Sequence, residues 1–131
     1  MADVRRIDEF ESALRTIGRT RPQALVVIAD RFLLAHRTRI TSFAAEQRLP
    51  AVYPYREYVD AGGLLSYAPS NIDLFRGAAG YVDKILKGAK AGDLPIQQPS
   101  RFELVINLNA AKALGLEIPA SLLTQADHVV Q

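Results

Sequence analysis

Six consecutive apolar residues, Ala24-Leu25-Val26-Val27-Ile28-Ala29, run directly into Asp30. A run this short, without alternation and rich in β-branched side chains, has the pattern of a strand buried on both faces. Such strands belong to parallel sheets covered by helices. Asp30 is then placed to cap a helix from Arg31 to about Arg48, with Leu33, Ile40, Phe43 and Ala44 as its inward stripe. Pro50 stops that helix, and Ala51-Val52-Tyr53 makes a second short strand.

The same alternation continues in both directions. Upstream, Asp8 and Glu11 have the spacing of a helix cap and its reciprocal partner, and Phe10, Ala13, Leu14 and Ile17 share one helical face up to Gly18. Ala2 to Arg5 is the stub of another strand, so the sheet begins in mid-strand, as in a piece of something larger. Downstream, a helical turn over 57–61 closes at Gly62-Gly63, and Leu64 to Ala68 forms a third strand. Ser70 or Asn71 caps a helix whose face is Phe75, Ala78, Ala79, Val82, Ile85 and Leu86, ending at Gly88. A polar linker leads to a fourth strand over 102–106, a short helix over 109–114 closed by Gly115, and a last helix opened by Pro119. The expected fold class is α/β, a three-layer arrangement with a mainly parallel sheet flanked by helices.

Composition narrows the function classes. At 131 residues the chain is one domain's worth of material, with 49% hydrophobic and 23% charged residues and a net charge of +2. That balance excludes a disordered chain and gives no sign of a nucleic-acid partner. With zero cysteines, disulfides, thiolate metal sites and Cys nucleophiles are excluded together. The longest apolar run is far below the roughly twenty residues of a membrane span, and no signal peptide is visible, so the chain as written is expected to stay where it is made.

Chemistry-bearing residues are sparse. His36 lies on the Leu33–Ile40 stripe as a partly buried, hydrogen-bonded histidine, and His128 belongs to the surface of the last helix. No serine sits in a nucleophile elbow, and no metal cluster or cofactor motif is present. Gly77-Ala78-Ala79-Gly80 reads as close helix packing. The arginines at 15, 19, 21, 37 and 39 read as solvated helix faces. An enzyme is not expected. Open α/β sheets bind ligands at the carboxyl ends of their strands, and there the chain carries Asp30, Tyr55 and Tyr67. Asp30 is a cap or a ligand-facing carboxylate, and the two roles are compatible. The tyrosines offer flat apolar faces with a hydroxyl handle, or finish the core at the sheet's edge. Gly62 and Gly63 allow close backbone approach to a ligand, or only a tight turn.

Several ordered segments resemble a family of ABC-transporter substrate-binding proteins, the one that includes tryptophan/tyrosine-type binding proteins. Ala61-Gly62-Gly63-Leu64-Leu65-Ser66-Tyr67 is similar to that family's GGLxSYG segment, with Ala68 where glycine is frequent. The likeness extends through 79–88, Asp93 to Pro99, Phe102 to Leu108 and Ala111 to Leu116, and includes Arg39-Ile40 and Leu49-Pro50. The resemblance implies one lobe of a type I periplasmic-binding fold, with residues 1–101 as the second, ligand-binding lobe and 102–131 as a returning hinge segment. It also implies a periplasmic or extracytoplasmic setting, a permease partner, and a small-molecule ligand of the amino-acid or aromatic class held without cofactor. Asp30, Tyr55 and Tyr67, then Gly62 and Gly63, are the expected contacts. The alternative is a truncated fragment that binds no ligand and self-associates as a homodimer through an exposed apolar face around Leu114, Leu116, Ile118, Leu122 and Leu123.

Overall fold

The computed structural model describes residues 7–131, so the stub at Ala2–Arg5 lies outside the described residues. The chain divides into two compact units, residues 1–67 with 104–131, and residues 68–103. The partition does not coincide with the expected boundary at 101/102. From Leu104, inside strand β4 (Phe102–Asn107), the chain belongs with the first unit. There Asn107 N–H donates to the Leu64 carbonyl at 2.8 Å.

In the first unit, α1 (Ile7–Arg19) precedes β1 (Leu25–Val26), α2 (Arg31–Ala35), α3 (Arg37–Glu46), β2 (Ala51–Tyr53), α4 (Arg56–Asp60) and β3 (Leu65–Pro69). After β4 come α6 (Leu108–Leu114), α7 (Ala120–Gln125) and β5 (His128–Val130). The five strands lie in the order β1-β2-β3-β4-β5, parallel from β1 to β3 and from β4 to β5. Among the described residues this order does not reverse, and parallel crossovers, which are ordinarily right-handed, then send the helices of the first unit to one face. Burial agrees. Ala51, Tyr53 and Ser66 share the covered face and are buried, and α3 supplies Ile40, Phe43 and Ala44 to the core. Val26 pairs with Val52, and Val52 with Leu65, so these residues and Tyr67 share the opposite face. There Val26 is 72% exposed and Tyr67 58%.

This corrects the expectation that Ala24–Ala29 is buried on both faces. Only Val27 is buried, while Val26 and Ile28 are exposed, because among the described residues nothing covers the face of the sheet that Val26 shares with Val52. The long helix expected from Arg31 is also two helices. The backbone turns aside at His36 (φ −104°, ψ 20°), whose ring packs against Phe32 at 4.7 Å and Phe10 at 5.3 Å. Asp8, expected to cap the first helix, lies within α1. The Glu11 carboxylate accepts from Arg39 Nε at 2.7 Å and Nη2 at 2.8 Å.

His128 lies in a strand, not in the last helix. The Asp127 carboxylate accepts from Leu104 N–H, and Asp127 N–H donates to the Leu104 carbonyl, both at 2.9 Å. That exchange draws the next three residues into the sheet as β5. The C-terminal segment expected to be bare is thereby tied down: Leu114, Ile118, Leu122 and Leu123 are half-buried, and Leu116 is exposed at 39%.

The second unit holds α5 (Asn71–Leu86) and a 3-10 turn at Ala91–Asp93. Ser70 caps α5, its Oγ accepting from Asp73 N–H at 3.4 Å, and Gly88 follows the helix with φ +100°. Tyr81 donates its phenolic proton to the Pro95 carbonyl, holding the linker along the helix. Asp73 pairs with Arg76 at 3.1 Å and lies 3.8 Å from Arg101. None of the residues of α5 is buried. A Cβ added at Gly77 or Gly80 would meet nothing within 4 Å, so these glycines do not mark close helix packing.

Candidate functional site: the carboxyl edge of the sheet

Asp30 follows β1 with extended backbone (φ −150°, ψ 140°), and one carboxylate oxygen accepts from Leu33 N–H at 2.9 Å. The cap expected from the sequence is therefore in place. The residue is exposed, and a single oxygen serves the helix. Tyr55 stands at the matching position after β2, extended (φ −142°, ψ 144°), and starts α4 without a side-chain cap. Its ring is half-buried and packs against the core cluster, while Tyr58 N–H donates to its carbonyl at 3.2 Å.

One turn into α4, Tyr58 is fully buried, its ring stacked on Tyr53 with centroids 4.9 Å apart and planes 11° apart. Burial pushes the Tyr58 phenol up to about 12, and nearby Tyr55 and Asp30 contribute to the rise while Arg37 opposes it. Burial likewise pushes the Tyr53 phenol well above its ordinary value. At neutral pH both are neutral donors.

The sequence-predicted residues do not all converge. Asp30 and Tyr55 occupy adjacent strand ends and both act on Tyr58. Tyr67 shares the carboxyl edge but belongs to the uncovered face of the sheet. Gly62 and Gly63 lie at the start of β3, the opposite end of the strands. Gly62 has φ +95°, which only glycine adopts freely, and a Cβ at Gly63 would fall 2.6 Å from the Tyr53 ring. Their roles are the turn and the packing of Tyr53.

Among the described residues the strand order shows no reversal. Grooves of about 480 Å³, along α1 and β1, and about 140 Å³, between α3 and α6, are mainly apolar and include none of Asp30, Tyr55, Tyr58 or Tyr67. The candidate site is an open rim carrying the exposed Asp30 carboxylate and the half-buried Tyr55 ring on adjacent strand ends. Among the described residues, no group of three or more His, Cys, Asp or Glu is arranged to hold a metal ion.

The chain is similar to several solved structures, spanning about two-fifths of the length of each. A conserved domain protein from Vibrio cholerae O1 biovar El Tor is 25% identical with a TM-score of 0.84, over 93% of this chain and 41% of that one. The ABC domain from Streptococcus pneumoniae, solved in complex with L-Trp, is 28% identical with a TM-score of 0.84, over 94% and 42%. The ligand-free, open substrate-binding protein CD0873 of Clostridium difficile, 20% identical with a TM-score of 0.68 over 98% and 42%, shares the fold. No curated protein matches the chain. The family model for ABC transporter substrate binding proteins matches residues 1–130, and the chain belongs to that family.

Proposed function

We propose that this chain recognises a small organic solute of the amino-acid or aromatic class for an ABC importer, by binding and without chemical turnover. The observation that carries the reading is the pairing of Asp30 and Tyr55 on adjacent strand ends, an anion beside an aromatic face, at the edge where α/β sheets take ligands. Family membership and the L-Trp complex of the pneumococcal relative support a solute-binding role. In this reading the permease of the importer is the protein partner, the setting is extracytoplasmic, and no cofactor takes part. Asp30 receives an ammonium or hydroxyl group of the solute, Tyr55 packs on its apolar part, and Tyr67 contributes from the far side of the edge.

The test is calorimetric titration of the chain with L-amino acids, beside Asp30→Asn. Asparagine keeps the helix cap and removes the charge. An amino-bearing solute is expected to bind the variant about tenfold more weakly, the scale of a hydrogen bond to a charged group. Equal affinity would confine Asp30 to capping.

A further inference from the structure

Helix α5 carries an apolar seam that no other described residue covers. Ile72, Phe75, Ala79, Val82 and Leu86 follow one another at steps of three, four, three and four residues, the spacing of the a and d positions of a coiled coil. All five are exposed, the four larger ones by between 55% and 82%. The helix runs for 16 residues, includes Gly77 and Gly80 in its interior, and buries none of its side chains. A helix of that length and composition draws little stability from propensity and most from packing its apolar face. The linker does not cover the seam. Tyr81 holds it along another side of the helix, through the bond from its phenol to the Pro95 carbonyl.

The flanks of the seam say what fits it. With Ile72 as position a, one flank holds Arg76 and Asp83 at the e positions, and the other holds Ala78 and Ile85 at the g positions. Two helices running antiparallel set each flank against its own equivalent, and a two-fold axis makes every contact occur twice. In the register that puts Phe75 on the partner's Leu86 and Ala79 on the partner's Val82, Arg76 faces the partner's Asp83. On the opposite flank Ala78 faces the partner's Ile85. One chain thus carries both halves of a charge pair on one side of the seam and of an apolar contact on the other. Within the chain, Arg76 pairs with Asp73 at 3.1 Å and Lys87 with Asp83 at 2.9 Å. Exposed pairs of this kind hold weakly and leave both groups free to reach across. A parallel pair would set e against g, each charge against an apolar flank, and lose the match.

We infer that α5 is a self-docking surface whose occupant is the α5 of a second copy of this chain, in antiparallel register. At the areas such side chains carry, the exposed seam amounts to roughly 600 Å² per copy and about 1,200 Å² across the pair, the lower edge of the range for a specific interface. A contact of that size sustains a dissociation constant on the order of 10 µM. The face around Leu116, where the sequence suggests a dimer, is mostly half-buried, whereas α5 is bare. The seam belongs to the second unit and stands whether or not the carboxyl edge of the sheet takes a solute.

The experiment is sedimentation equilibrium of the whole chain from about 1 µM to about 300 µM, beside Phe75→Ala, Arg76→Asp and the double variant Arg76→Asp/Asp83→Arg. Circular dichroism at the lowest concentration, where the chain is monomeric, checks that each variant keeps its helices. There Phe75→Ala is a surface substitution and leaves the fold's own stability alone. Wild type is expected to dimerise, and Phe75→Ala to weaken the dimer at least tenfold. Arg76→Asp sets like charges across the seam and should weaken it about tenfold, while the double variant restores opposite charges and returns the affinity to within about threefold. A wild-type monomer over the whole range would overturn the pairing and leave the seam to a different polypeptide. A dimer indifferent to Phe75→Ala would place the interface elsewhere and overturn it as well. Loss in Arg76→Asp without recovery in the double variant would overturn the antiparallel register.

Discussion

Helices α3 and α5 are built from comparable materials and meet opposite fates. Helix α3, ten residues long, buries Ile40, Thr41, Phe43 and Ala44. Helix α5, sixteen residues long, buries none, and Phe75 stands 71% and Leu86 82% exposed. Both carry apolar side chains at helical spacing. What separates them is what each meets: α3 lies over the covered face of the sheet, whereas the second unit holds only the ends of two strands. Hydrophobic periodicity fixes which face of a helix is apolar, and tertiary structure decides whether that face leaves water.

The contrast makes sharp demands on mutants. The largest concerns core against surface. Ile106→Ala, at a side chain 0% exposed in β4, should lower unfolding stability by about 2–5 kcal/mol in urea titrations. Phe75→Ala in α5 should stay within about 0.5 kcal/mol. A loss at Phe75 equal to that at Ile106 would break the comparison.

Glycines give a test of sign. Gly63→Ala drives a methyl to 2.6 Å from the Tyr53 ring and 2.8 Å from the Tyr58 carbonyl oxygen. A loss of about 1–3 kcal/mol is expected from such overpacking. Gly77→Ala enters open space inside a helix and should leave stability equal or raise it by about 0.5–1 kcal/mol. Circular-dichroism melts of the pair decide it.

Caps give a smaller difference. Asn107 Oδ1 accepts from Ala110 N–H at 3.0 Å in the first unit, while Ser70 Oγ accepts from Asp73 N–H at 3.4 Å in the second. Asn107→Ala should lower global stability by about 1 kcal/mol. Ser70→Ala should raise amide exchange within α5 and move the global transition less.

The smallest effect is electrostatic. The hydrogen bonds from Arg39 hold the Glu11 carboxyl below its ordinary value of 4.5. A carboxyl lowered in the folded state stabilises it fully above that ordinary value, and the gain disappears as pH falls through the folded-state value. Arg39→Met should therefore flatten the acid limb of the stability profile and leave the shape of the neutral limb nearly unchanged, with the difference shrinking in salt.

How much of this was legible in the sequence depended on distance along the chain. The caps at Asp30 and Ser70 were readable because donor and acceptor lie three residues apart. The break at His36 was not, because it involves Phe10, on another helix. Strand β5 was missed because three residues carry little periodicity, and its pairing depends on Asp127 reaching Leu104 across the fold. The places of Asp30 and Tyr55 after adjacent strands follow from the order of elements along the chain. At Gly62 and Gly63 the sequence leaves two readings open, since a turn and a ligand approach make the same demand on φ.

One consequence of the Asp30 cap is historical. The helix needs a short side-chain oxygen at that position, and aspartate, asparagine and serine all supply one. Drift among them preserves the fold while switching the charge at the rim on or off. On the proposed reading of the rim, such changes would exchange one class of solute for another without opposition from folding.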